Sequence, residues 1–279
     1  MLEVHRESLV CVHLNVTSIH PVYLLSHIYR SMNLPSVKEV KIYSRFLISR
    51  VDLCSFLNRH PSINSLRLDG ILPSMDPQIP DPPIILPYLA QLTAMPLMVT
   101  LLLQHWNNVP LLSSVHVLLN ENHESELDAL VAVAPHTHIS SLEFSSVPVS
   151  HICLTLQRHI REDKYTRIIT SLAHIRTVVL DKPVQPCEFS PLIAKRWLYL
   201  FPHLEHVSFC FRLLDAREGL SDQERHDVAI EFATQLAADR PTIKTLSIES
   251  LPAINLDDLR RMPGFKVSSE FLVLRLLDI

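Results

Sequence analysis

Apolar and polar positions alternate in short bursts along this chain, and the bursts resemble one another. LPYLAQLTA, at Leu86–Ala94, places Pro87, Leu89, Leu92 and Ala94 in the order P-x-L-x-x-L-x-A. The same spacing recurs at Pro35-Val37-Val40-Ile42, Pro61-Ile63-Leu66-Leu68, Pro202-Leu204-Val207-Phe209 and Pro241-Ile243-Leu246-Ile248. Looser copies start at Leu9, Leu112, Ile139, Ile175 and Phe271. Successive copies are 23 to 39 residues apart. Self-similarity on that scale is the mark of a solenoid, in which each unit buries its apolar face on its neighbours.

Within each copy, apolar residues two apart predict a short strand with one buried face. Most intervals predict helices: Pro21–Met32, Val51–Leu57, Pro96 to Trp106, Ser125 to Ala134, Ser150–Ala173, Glu188–Leu200, Ser221 to Asp239 and Asn255–Arg261. Pro96 suits a first helical position, where a missing N–H costs nothing. Ser221-x-x-Glu224 is a capping box. LPSMDPQIPDPP, after the third strand, holds five prolines and predicts an extended connector. The last strand is expected at 271–277. Strand alternating with helix implies parallel strands joined by right-handed crossovers. The expected fold is therefore α/β, a single 1–279 domain of about ten strand units in a horseshoe, strands on the concave wall and helices outside.

Those L-x-x-L-x-L cores at 37–42, 63–68, 89–94, 204–209 and 243–248 resemble leucine-rich repeats. With the irregular period, the proline ahead of the strand and the long apolar helices, the chain resembles the repeat half of fungal F-box/leucine-rich-repeat proteins. In that family the F-box docks the ubiquitin-ligase scaffold and the repeats choose the substrate. The resemblance implies an SCF-type adaptor without enzymatic activity. No F-box precedes the first strand here, so only substrate selection carries over. The asparagine that usually ladders after the strand is also missing, its place taken by Asp69, Ser145 or Asp181.

Composition narrows the function classes. The chain is 47% hydrophobic and 19% charged, with much to bury, which excludes disorder. Its three glycines leave no P-loop, G-x-G-x-x-G or G-x-S-x-G to be written. Five cysteines, an odd number with no C-x-x-C, suit free thiols in a reducing compartment. The first residues carry no secretory signal, and the expected location is cytoplasmic or nuclear.

Ile84–Leu103 has the length of a membrane span. Pro87 and Pro96 interrupt it, and no Lys or Arg lies between Arg67 and Arg158 to set orientation. The repeat already accounts for the segment as strand, helix and strand, so no membrane partner is expected. Arg158, Arg161, Lys164 and Arg167 form a stripe interleaved with Glu162 and Asp163. This falls short of a nucleic-acid footprint and reads as a solvated helix face.

Metal chemistry has two openings. His123-Glu124 begins an H-E-x-x-H motif, but Leu127 stands where the second histidine belongs. His136 and His138, with His151 and Cys153, are the densest ligand set and read as loop and surface residues; a metal-dependent hydrolase built on them is the alternative function. A truncated family member that has lost its role is a third reading. No metal and no cofactor are assigned, and no small-molecule substrate is evident.

What remains is the polar wall. Between the second and third apolar positions of each unit lie His13, Lys41, Arg67, Thr93, His116, Glu143, Val179, Ser208, Ser247 and Arg275. Two residues earlier lie Cys11, Glu39, Ser65, Gln91, Ser114, Ser141, Thr177, His206, Thr245 and Val273. A rigid sheet presents such side chains at fixed spacing, and charged groups on it set specificity. Lys41, Arg67, His116, Glu143, Ser208 and Arg275 are the expected contacts to a protein partner.

Overall fold

A computed structural model describes residues 7–16, 29–44, 47–70, 72–73, 84–105, 109–118, 124–145, 172–180, 198, 200–210, 221–248 and 251–262. Most of the helices expected at 150–173, 188–200 and 21–32, and the whole strand at 271–277, lie outside these residues. Of the expected connector, only 72–73 is described after Gly70.

The strands are β1 (Cys11–Val16), β2 (Glu39–Ser44), β3 (Leu47–Ile48), β4 (Ser65–Asp69), β5 (Leu72–Pro73), β6 (Gln91–Ala94), β7 (Ser114–Leu118), β8 (Ser141–Ser145), β9 (Thr177–Leu180), β10 (His206–Phe209), β11 (Thr245–Ile248) and β12 (Ile254–Asn255). The helices are α1 (Arg50–Arg59), α2 (Pro96–His105), α3 (Glu124–Val133), α4 (Asp222–Asp239) and α5 (Leu256–Arg261). Ten strands form one open sheet in the order β1-β2-β4-β6-β7-β8-β9-β10-β11-β12. Chain order and spatial order agree, so each new unit adds to the edge left by the last.

The parallel pairing expected from the repeat holds from β1 to β11. A strand that the repeat did not predict follows them. β12 pairs antiparallel with β11, Thr245 opposite Asn255. Only five residues, 249–253, separate the end of β11 at Ile248 from the start of β12 at Ile254, too few for the crossover a parallel partner requires. A second, unanticipated pairing joins β3 to β5 in a two-stranded sheet.

The proline turns explain the regular entry into each strand. In Leu34-Pro35-Ser36-Val37 the Val37 N–H donates to the Leu34 carbonyl at 3.1 Å. The same i to i+3 bond closes at Ile63 to His60, Leu89 to Leu86, Leu112 to Val109, Ile139 to His136, Ile175 to Leu172, Leu204 to Phe201 and Ile243 to Arg240. Proline, where present, sits second in the turn, the position its fixed φ favours. The turn then joins its neighbour. The carbonyl just before each strand accepts two successive N–H groups of the next unit: Val10 from Lys38 and Glu39 at 2.8 and 3.1 Å, Lys38 from Asn64 and Ser65 at 2.7 and 3.0 Å. This stitch continues to Glu205, which accepts from Lys244 and Thr245.

Burial follows the strand alternation. Val40 and Ile42, Leu66 and Leu68, Leu92 and Ala94, Val178 and Leu180, and Leu246 and Ile248 are buried, in one apolar cluster with residues from all five helices. Interleaved residues stay half-buried or exposed. Each fully buried side chain of this class stabilises the fold by about 1.5–3 kcal/mol. The core therefore lies between sheet and helices, and the polar rows lie on the other face.

Helix ends match their sequence signals. α4 starts at the expected capping box: the Ser221 hydroxyl accepts from Glu224 N–H, and the Glu224 carboxylate accepts from Ser221 N–H at 2.8 Å. Ser49 caps α1 and Asn255 caps α5. α2 begins at Pro96, as expected, and α3 at Glu124, one residue before the serine expected to head it. Among the described residues, no helix is long and apolar enough to cross a membrane.

Candidate functional site: the polar face of the sheet

Strand register converts the repeat into two straight rows. His13, Lys41, Arg67, Thr93, His116, Glu143, Val179, Ser208 and Ser247 are successive register partners. So are Cys11, Glu39, Ser65, Gln91, Ser114, Ser141, Thr177, His206 and Thr245. Neighbours in each row stand about 4.8 Å apart, the strand spacing. Both rows are as expected from the sequence, except that their last members, Arg275 and Val273, lie outside the described residues.

The chemistry of the rows differs from a set of independent charges. Lys41 forms an ion pair with Glu39, two residues away on β2. Its ammonium holds the Glu39 carboxyl below the usual range, and Glu39 in turn raises Lys41. Arg67 Nη2 donates to Asp69 Oδ2 at 3.1 Å, and its guanidinium lies 5.4 Å from the centre of the Tyr43 ring. Tyr43 and Asp69 are themselves register partners. Lys41 and Arg67, two of the basic contacts expected from the sequence, are thus already neutralised within the sheet.

His116 and Glu143 are brought together. They are register partners on β7 and β8, with His116 Nδ1 3.6 Å from Glu143 Oε1. The other ring nitrogen, Nε2, lies 2.8 Å from the Ser145 hydroxyl. Ser145, in the region where a leucine-rich repeat would place its asparagine, is buried. Ser208 Oγ lies 3.9 Å from Cys210 Sγ. His206 Nδ1 meets the Thr245 hydroxyl at 2.7 Å across β10 and β11. At the strand entrance, Glu205 bridges Arg176 at 3.8 Å and Lys244 at 2.5 Å, and Lys244 lowers its carboxyl pKa.

The histidine cluster divides. His136 and His138 pack edge to face, ring centres 5.7 Å apart. His136 Nε2–H donates to the Leu103 carbonyl at 3.1 Å, and burial lowers its pKa. One of its two ring nitrogens is therefore committed to joining α2 to the next turn. His151 and Cys153 lie outside the described residues, as does the basic stripe from Arg158.

A different ligand set emerges at the β1 edge. One sulfur, nitrogen or oxygen atom from each of Cys11, His13 and Glu39 lies within 4.8 Å of the other two. Among the described residues no other three His, Cys, Asp or Glu side chains converge in this way. Sequence reading placed Cys11 and Glu39 in one row and His13 in the adjacent one without joining them. The signal was present as C-x-H in a strand with an acid at the matching position of the following unit.

No protein-family model and no curated protein matches this chain.

Proposed function

We propose that the chain is a non-enzymatic recognition module of leucine-rich-repeat type that binds a protein partner on the polar face of its sheet. The observation that carries this reading is the unbroken register of nine parallel strands, which lines up two rows of polar side chains. Strands repeat every 4.8 Å or so, whereas packed helices need about 8–10 Å. A sheet backed by helices relieves that mismatch by curving with its strands inside, which favours a horseshoe with these rows on its concave wall.

The internal ion pairs refine which partner suits the face. Lys41 and Arg67 are held by their own acids, so a partner meets a surface of paired charges and hydroxyls rather than a basic patch. Exchange of those internal pairs for intermolecular ones supplies specificity more than affinity. Substrate selection for an SCF-type ubiquitin ligase is the setting we infer from the family resemblance.

Affinity capture followed by mass spectrometry tests both levels. The wild-type chain is expected to retain a partner that a Lys41→Glu/Arg67→Glu variant retains poorly, at a closely similar melting temperature. Equal capture by the two would remove the site. Capture of a partner with no ligase scaffold protein would remove the adaptor role alone.

A further inference from the structure

We propose that Cys11, His13 and Glu39 form a divalent metal site, suited to zinc, at the β1 edge of the polar face. This stands apart from the partner-binding reading, because it rests on three side chains rather than on the rows as a whole. Cys11 and His13 are two residues apart on the same face of β1, and Glu39 is the register partner of Cys11 on β2. The parallel ladder therefore fixes all three Cα positions, and only side-chain torsions remain to be set.

The distances suit a small ion. The three donor atoms lie within 4.8 Å of one another. Zinc holds sulfur at about 2.3 Å and nitrogen or oxygen at about 2.0–2.2 Å, which sets tetrahedral ligands roughly 3.5 Å apart. A contraction of about 1 Å between side chains meets that requirement. Cys11 and His13 are exposed and Glu39 half-buried, so the ion enters from solvent without opening the backbone.

The donor set selects the metal. A thiolate with an imidazole and a carboxylate matches zinc or cobalt and is too soft for magnesium or calcium. Three protein ligands leave a fourth position for water or for a donor brought by another molecule. Lys41 is the built-in competitor. Its ammonium occupies Glu39 in the metal-free chain and is displaced when the carboxylate turns to the ion.

Titration of the purified, chelator-treated full chain with Co²⁺, then with Zn²⁺, tests the site. One Co²⁺ per chain is expected, with a near-ultraviolet thiolate-to-cobalt absorption that zinc displaces. Cys11→Ser is expected to abolish that absorption, and His13→Ala and Glu39→Gln each to weaken binding at least about tenfold. Lys41→Met should tighten it severalfold. Circular dichroism checks that each variant keeps its fold. Absence of the thiolate band, its survival in Cys11→Ser, or full affinity in either His13→Ala or Glu39→Gln would overturn the assignment.

Discussion

His60 Nε2 accepts the backbone N–H of Leu34 at 3.0 Å, tying one proline turn to the turn of the next unit. Because an N–H can only donate, this bond requires a lone pair on Nε2. The proton sits on Nδ1 and donates to the Phe56 carbonyl at 2.7 Å. His60 is fully buried, with its ring 4.4 Å from that of Phe56. It fills a position where most other units place an apolar residue.

That arrangement makes stability depend on pH with a definite sign. Burial lowers the pKa of His60 below 6.5, and that of His136 likewise. As pH falls through 6.5, the unfolded chain takes up protons that the folded chain refuses, so stability declines. The melting temperature is expected to drop between about pH 7.5 and about pH 5.5, and His60→Gln should make that slope shallower. An unchanged slope in the variant would dissociate His60 from it. His60→Ala strands both backbone partners and should cost about 2–3 kcal/mol by urea denaturation.

Gly70 follows β4 at φ 69°. A Cβ there would stand 2.4 Å from the Ser44 carbonyl oxygen, a backbone atom that cannot swing aside. The left-handed conformation alone costs an L-residue about 1–2 kcal/mol. Gly70→Ala should therefore destabilise by more than that, measured as a shift in the denaturation midpoint. A neutral substitution would mean that the β2 and β4 ends separate readily.

Arg260 on α5 closes the C-terminal edge. Its Nε donates to the Ala237 carbonyl at 3.0 Å, and Nη2 to the carbonyls of Arg240 and Ile243 at 3.0 and 2.8 Å. Asp257 Oδ1 accepts from Nη1 at 2.6 Å. One planar fork thus serves three carbonyls at the end of α4 and the turn into β11. Arg260→Met should cost about 2–3 kcal/mol, because hydrogen bonds from a charged donor are worth roughly 1.5–3 kcal/mol each and do not add. Arg260→Lys should rescue little, lacking the fork. Hydrogen exchange should localise the loss to β11 and α5; uniform loss across the sheet would contradict a local clasp.

Much of the scaffold was readable from residue order alone. Period-two alternation at Val37–Ile42 or Ile243–Ile248 says which side chains face the core, since successive strand residues point to opposite faces. Equal spacing after each turn aligns Lys41 with Arg67, and His116 with Glu143, before any coordinates are known. Ser221 and Glu224 announce α4 because a capping box involves only four consecutive residues.

Only the tertiary structure decided which neighbours those side chains choose. The Lys41 pair with Glu39, Arg67 over Tyr43, and the meeting of Cys11 and His13 with Glu39 depend on rotamers and on contacts across a strand boundary. His60 and Arg240 look like surface residues by type, yet both are buried because a neighbouring turn presents backbone groups to them; Arg240 donates to the Leu198 and Phe201 carbonyls at 3.0 and 2.5 Å. The antiparallel β12 was likewise hidden, since two residues carry no period. Local alternation sets which face a residue occupies; partners drawn from units 20 to 40 residues away are set by packing, which residue order alone does not specify.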